Sequence, residues 1–283
     1  MALSDSLGTA KSVRLGRATI DYRERGEGSP IVFVHGLLVN ADLWRHVVPP
    51  LAEAGHRCIA PDWPLGSHST PVPDADLTPP GLAGLIAEFL ATLDLREVTI
   101  VANDTGGALT QLLMTRHPER IARVVLTPSD CFDQFMPDLF APLAKITKVP
   151  GATWLLAQAL RSRRVQRLPI ALGWLTKRPI PKEITDSYLR PALRRAIRRD
   201  ARAFTTTVHK RYTIQAAEEL KNFGKPVLIA WAAQDKVFPM SLAHRLAEVL
   251  PNATVTAIDD SYTFVPEDQP AELAKAIAGF VAD

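Results

Sequence analysis

The residues best placed to do chemistry lie in Val98-Thr99-Ile100-Val101-Ala102-Asn103-Asp104-Thr105-Gly106-Gly107. Five β-prone residues run into a short polar turn, two glycines follow, and a helical pattern opens at Ala108-Leu109. A strand meeting a helix over so tight a bend is the layout of a nucleophile elbow, in which a strained turn lifts one reactive side chain above a sheet. The residue at the bend is Asp104, and a carboxylate there is equipped to attack carbon and form an ester. The same residues also suit an Asx N-cap opening an ordinary strand–helix unit. Two further carboxylates end buried-strand patterns: Asp130 follows Val124-Val125-Leu126-Thr127, and Asp235 follows Pro226-Val227-Leu228-Ile229-Ala230-Trp231. Each is a candidate partner for Asp104, and each equally suits a loop Asp that caps the next helix. Cys58 and Cys131 are far apart and make no metal-type spacing. No metal or organic cofactor is implied, and both cysteines read as reduced thiols.

The elements that must position these carboxylates alternate. Residues 13–25 alternate polar and apolar, as in a hairpin at a sheet edge. Ile31-Val32-Phe33-Val34 is a continuous apolar run, expected of a strand buried on both faces. A helix follows with Leu43, Val47 and Leu51 on one face and Gly55 as its stop. Arg57-Cys58-Ile59-Ala60 is the next strand, and Thr78-Pro79-Pro80 starts a helix whose stripe is Leu82, Leu85, Ile86, Phe89, Leu90 and Leu93. The elbow unit and the strand at 124–127 come next. The rhythm stops over residues 131–220, which read as helices and loops punctuated by prolines, and resumes with a strand at 226–231, a helix at 241–250, a strand at 253–258 and a helix at 270–281. Such alternation implies a parallel sheet covered on both faces. A helical insert there covers the strand C-termini, where ligands bind in these sheets.

Taken together, His35-Gly36 after the third strand, Asp62 to Gly66 after the fourth, Asn103 to Gly107 and Trp231 to Asp235 resemble the α/β-hydrolase superfamily over nearly the whole chain. The resemblance implies an α/β-hydrolase fold: a mostly parallel eight-stranded sheet with helices on both faces, a core domain of residues 1–130 and 221–283, and a helical cap at 131–220. An Asp at the elbow resembles epoxide hydrolases and haloalkane and fluoroacetate dehalogenases. That group implies attack by Asp104 on carbon, an oxyanion hole from the backbone N–H groups of Leu37 and Thr105, and Asp235 as the acid that orients a histidine. Asp130 matches an alternative acid position.

The chain departs from that pattern at one decisive place. The catalytic His position, in Asp260-Ser261-Tyr262-Thr263-Phe264-Val265-Pro266, falls on Thr263, and no His follows His244. A threonine does not accept a proton at neutral pH and so does not activate water. The best substitute in sequence is His209, near the cap's return segment. His35 reads as structural, and His46, His68, His117 and His244 read as surface residues. Thr105 and Leu37 stand where dehalogenases carry halide-holding side chains, and Leu38 stands where epoxide hydrolases carry Pro. Tyr188, Tyr212 and Tyr262 are candidate pocket tyrosines, with packing as the other reading. Leu37, Leu38, Trp63, Phe132, Phe135, Phe238 and Phe264 are the expected apolar lining.

The 283 residues carry a net charge of only +3 and are 47% hydrophobic, which favours a large core and argues against a nucleic-acid binder. Met1 to Ser12 has no apolar run, and stretches such as Ala152 to Leu160 are too short to span a bilayer, so a cytoplasmic protein without membrane insertion is expected. Arginines cluster at 161–167 and 190–202, the second cluster on an amphipathic helix with Leu189, Leu193, Ala196 and Ile197 on its opposite face; a solvated basic face is the default, with an anionic substrate or acidic partner as the alternative. A homodimer is compatible with all of this. The sequence leaves three functions open: a hydrolase of small apolar epoxides, alkyl halides or esters; a non-covalent acid/base catalyst of isomerase, cyclase or lyase type; and a catalytically silent binding protein.

Overall fold

Valine, isoleucine and alanine dominate the central segments of the one sheet that a computed structural model pairs; the structure describes residues 4–136, 139–140 and 152–282. Eight strands lie in the order β1-β2-β4-β3-β5-β6-β7-β8. They are β1 (Thr9–Arg14), β2 (Thr19–Arg25), β3 (Ser29–Val34), β4 (His56–Pro61), β5 (Val98–Asp104), β6 (Ile121–Ser129), β7 (Val227–Ala232) and β8 (Ala253–Ile258). The hairpin β1–β2 pairs antiparallel, as does β2 with β4, and every other neighbour is parallel. The central strands β3, β5 and β7 are buried on both faces, which is why their sequences run apolar without alternation. Each fully buried Val, Leu or Ile there contributes roughly 2 kcal/mol of burial.

The helices are α1 (Val48–Glu53), α2 (Pro79–Thr92), α3 (Thr105–Arg116), α4 (Ala152–Ala159), α5 (Arg163–Gln166), α6 (Lys182–Leu189), α7 (Arg195–Thr205), α8 (Arg211–Glu219), α9 (Met240–Val249), α10 (Val265–Asp268) and α11 (Pro270–Ala282). Thr78 caps α2 by accepting a hydrogen bond from the Gly81 N–H at 3.1 Å. Helices α4 to α8 lie in the insert between β6 and β7; Pro137, Pro142 and Pro150, read as part of it, lie outside the described residues.

Three sequence expectations need correction. The single helix expected over Leu43 to Leu51 is a 3-10 turn at Ala41–Trp44 followed by α1, because Pro49 and Pro50 lack N–H donors and fit only a first turn. The long basic helix expected from Leu189 onward breaks at Pro191 and restarts at Arg195. That helix is not apolar on its whole inner face, since it buries Asp200 beside Ile197 and Phe204. Asp200 explains the third correction. His68 is buried, with Nε2 3.2 Å from Asp200 Oδ2, so it ties the loop after β4 to α7 instead of facing solvent. Cys58 and Cys131 are free and buried. No helix among the described residues is long and apolar enough to cross a membrane.

Candidate active site

Asp104 sits at the junction of β5 and α3 with φ 54° and ψ −132°. A non-glycine residue in that region costs on the order of 1–3 kcal/mol, which the packed junction must offset. Gly106 makes the junction passable: a Cβ there would lie 2.3 Å from the Val34 carbonyl oxygen. On the facing loop Leu38 has φ 57° and donates its N–H to the Leu65 carbonyl at 3.0 Å. That turn leaves the Leu37 N–H free to donate to Asp104 Oδ2 at 3.2 Å, and the Thr105 N–H bonds the same carboxyl group. Gly36 is equally constrained, since a Cβ there would sit 2.1 Å from Asp104 Oδ2.

Burial pushes the Asp104 carboxyl up to about 6, against the two N–H donors that favour its charged form. Asp130 is also buried. The Met136 N–H donates to its Oδ1 at 2.9 Å, and the Thr105 hydroxyl bonds its Oδ2 at 3.1 Å. Burial first, and then the neighbouring Asp104 charge, raise Asp130 well above the ordinary carboxylate range. Burial disfavours the charged form of both carboxyls, and the Asp104 charge adds to that effect at Asp130.

Asp235 stands apart. Its Oδ1 accepts from the N–H groups of Val237 and Phe238, both at 2.7 Å, and from the Thr263 hydroxyl at 3.1 Å. Its Oδ2 is buried without a donor among the described residues, and burial pushes the carboxyl up to about 7. Thr263 is itself fully buried, and its carbonyl accepts from Asn103 Nδ2 at 2.7 Å. Asn103 also donates to Thr127 Oγ1 at 2.8 Å, joining the ends of β5 and β6 to the Thr263 loop. Gln111, on α3, donates to the Asp130 carbonyl at 2.8 Å. Sequence reading passed over both amides. The available signal was an amide beside the elbow Asp and another facing inward nearly two turns along its helix.

Asp104, Asp130, Thr105 and Leu37 line one apolar cavity of about 840 Å³ of empty space, its open mouth included. Leu38, Val39 and Phe264 line the core side, and Leu160, Ile170, Leu172, Leu175 and Leu189 come from the insert. Asp235, Thr263, Tyr262, His209 and Tyr212 are not among the lining residues. His209 is exposed, with Nδ1 accepting from the Arg211 N–H at 3.1 Å, so the expectation that it enters the cleft is corrected. Tyr212 holds its hydroxyl against Arg211, and Tyr262 lies beneath the ammonium groups of Lys177 and Lys236. Tyr188 does line the cavity, but its hydroxyl donates away from it, to Glu267 at 3.1 Å. Trp63, Phe132, Phe135 and Phe238 belong to the core instead of the lining; the Trp63 indole, for example, donates to the Phe33 carbonyl and packs on Phe89. His35 is structural: Nδ1 donates to the Gly36 carbonyl, Nε2 accepts from the Trp63 N–H, and burial lowers it to about 4. Among the described residues no His, Cys, Asp and Glu group is arranged to hold a metal ion.

A model of the alpha/beta hydrolase family matches residues 31–276. Curated relatives include a cis-3-alkyl-4-alkyloxetan-2-one decarboxylase of Shewanella oneidensis, 28% identical over 93% of this chain and 85% of that protein. A haloalkane dehalogenase of Psychrobacter cryohalolentis is 25% identical over 93% of this chain and 88% of its own. Among solved structures, the epoxide hydrolase CorEH superposes with a TM-score of 0.81 at 20% identity, covering 97% of this chain and 98% of that one, a likeness of fold. The chain belongs to the alpha/beta hydrolase family.

Proposed function

We propose that this alpha/beta hydrolase family member is an enzyme that acts on a small, mainly apolar electrophile, such as an epoxide, alkyl halide or ester, with Asp104 as nucleophile. The observation that carries this reading is the Asp104 carboxyl itself: held by the Leu37 and Thr105 N–H groups, on a φ-positive elbow, in an apolar cavity shared with Asp130. In this reading residues 1–130 and 221–283 are the catalytic core, and 131–220 form the cap that encloses the substrate.

For an epoxide the steps balance as follows. The ionised Asp104 attacks a ring carbon, the carbon–oxygen bond breaks, and the departing oxygen takes the proton held by Asp130. The products are an ester on Asp104 and a carboxylate on Asp130. Asp130 then removes a proton from water, the hydroxide adds to the ester carbonyl, and the tetrahedral oxyanion sits on the Leu37 and Thr105 N–H groups. Collapse releases the diol, which takes its last proton from the elbow carboxyl. Asp104 returns ionised and Asp130 protonated. Burial of both carboxyls suits them to these opposite roles. Asp235 has no imidazole to orient and instead fixes Thr263.

The buried Thr263 favours a second reading in which no water is consumed. The relative named for an oxetan-2-one decarboxylates its substrate, and loss of carbon dioxide from such a ring leaves an alkene without any base-activated water. The intact mass of the protein after exposure to mixed epoxides, haloalkanes, activated esters and a β-lactone, for wild type and Asp104→Asn, tests both. An adduct or product with wild type alone supports the nucleophile. Equal product from Asp104→Asn sinks it, and alkene with carbon dioxide selects the second reading.

A further inference from the structure

The segment leading into the cavity wall is built differently from the rest of the surface. Residues 139–182 contain nine Lys and Arg and no Asp or Glu, which leaves 24 cations against 30 carboxylates elsewhere in the chain. Arg163, Arg164 and Arg167 have no carboxylate partner among the described residues. By contrast, the equally basic α7 carries its own counter-ion, Arg199 bonding Asp200 at 2.7 Å. Among the described residues, four of the five exposed large apolar side chains also fall here, within 17 consecutive residues: Trp154 (42% exposed), Leu155 (63%), Leu168 (48%) and Ile170 (37%). On α4, Ala157 points inward while Trp154, Leu155 and Ala159 face out, so the solvent side of this helix is its apolar side. Ile170 is at once exposed and part of the cavity lining, which makes this surface continuous with the mouth of the cavity.

We propose that this face of the insert, residues 152–173, docks on an anionic lipid surface and draws apolar substrate from it into the cavity. A tryptophan and leucines flanked by unpaired arginines are what a peripheral membrane contact uses: apolar side chains enter the headgroup boundary while cations pair with lipid charge. A second copy of the chain fits poorly, because an isologous interface would set the same unpaired arginines against each other. A merely solvated basic face does not need four bare apolar side chains among its charges. Docking stands independently of the chemistry at Asp104; only the purpose of docking rests on that reading.

Co-sedimentation of the full chain with vesicles of phosphatidylcholine alone, and of phosphatidylcholine mixed with phosphatidylglycerol, tests this at low and high salt. Wild type is expected to sediment with the anionic vesicles only, less so at high salt. The combined Arg163→Glu, Arg164→Glu and Arg167→Glu variant should lose about a hundredfold in affinity, at about fivefold per charge. Trp154→Ser with Leu155→Ser should weaken binding while leaving its salt dependence in place. Circular dichroism of each variant checks that these surface changes leave the fold intact. Asp104→Asn should bind vesicles as wild type does, whatever the outcome for catalysis. Equal sedimentation with both vesicle types, no sedimentation, or an unaffected arginine variant overturns the proposal. So does concentration-dependent self-association that the same variants abolish, since that would assign the face to a second copy.

Discussion

Thr263 donates its hydroxyl to Asp235 Oδ1 at 3.1 Å, while Asp235 Oδ2, buried, has no donor among the described residues. The acid is held in place with half of its accepting capacity unmet. An imidazole at position 263 has an N–H to offer that oxygen and a second nitrogen to offer water. We expect Thr263→His to shorten the lifetime of an ester on Asp104 by about a hundredfold, within the range of general-base catalysis. Position 263 is fully buried, so overpacking should cost about 1–3 kcal/mol of stability. Intact mass followed over time reads the first effect and thermal unfolding the second. An adduct as long-lived as in wild type would mean that Asp235 and the cavity are not coupled through this loop.

Two buried carboxyls, Asp104 in the cavity and Asp235 outside its lining, predict a pH effect. Asp104 is raised in the folded state, so its contribution to stability is present at low pH and lost as pH rises through about 6. Asp235 adds a loss of the same sign, up to about 7. Wild type should therefore melt higher at pH 5 than at pH 8. Asp104→Asn should remove part of that slope and gain up to roughly 3 kcal/mol at pH 8, because the amide needs no buried charge. Thermal unfolding across pH checks this, and parallel curves for wild type and variant would refute it.

Asp130→Asn separates the proton from the nucleophile. The amide neither donates as an acid nor accepts as a base, so ring opening should fall by about a hundredfold or more. Alkyl halides, whose leaving group needs no proton, should react nearly as fast as with wild type. Rates of adduct formation with matched epoxide and bromide probes make the comparison. An equal loss on both would reduce Asp130 to a structural role.

Gly36→Ala tests the N–H pair. The added methyl would fall 2.1 Å from Asp104 Oδ2, so the carboxyl must leave the Leu37 N–H. Losing one such donor costs about 10²–10³ in rate. Adduct formation at that level in a folded variant is the expected result, and wild-type rates would disconnect Leu37 from the chemistry.

Behind the cavity, Arg45 forms two 2.6 Å hydrogen bonds with Glu267, which also accepts from Tyr188 on α6. Both members of this ion pair are buried. Glu267→Gln leaves Arg45 uncompensated and should cost about 3–5 kcal/mol. Tyr188→Phe removes one hydrogen bond and should cost about 1 kcal/mol. Denaturant unfolding distinguishes the two, and equal losses would contradict this view of the network.

Much of this architecture was legible in the sequence because the central strands are buried on both faces and so are unbroken apolar runs. The elbow was legible for a related reason: only small residues let β5 and α3 pass so closely, and Gly106-Gly107 advertise it. Thr263 was found as a departure, because it stands where the superfamily's pattern has its catalytic His. What stayed hidden depends on contacts between distant segments. His68 looked like a loop residue because its partner Asp200 lies 132 positions away on a helix that otherwise reads as basic. Trp63 and Phe238 looked like lining because apolar periodicity says that a side chain is buried, not which cavity or core it faces. His209 had only proximity in sequence to recommend it.

The ties between insert and core are concentrated at one end. Ser67 donates to the Tyr188 carbonyl at 2.6 Å, His68 meets Asp200, and Asp268 accepts the N–H groups of Lys177 and Arg178. Side-chain hydrogen bonds of residues 152–173, among those described, return to the same segment, as when Gln166 donates to the Leu160 carbonyl. Among the described residues, hydrogen bonds thus hold the side of the cavity that carries Tyr188 to the core, and apolar packing holds the side that carries Leu160 and Leu172.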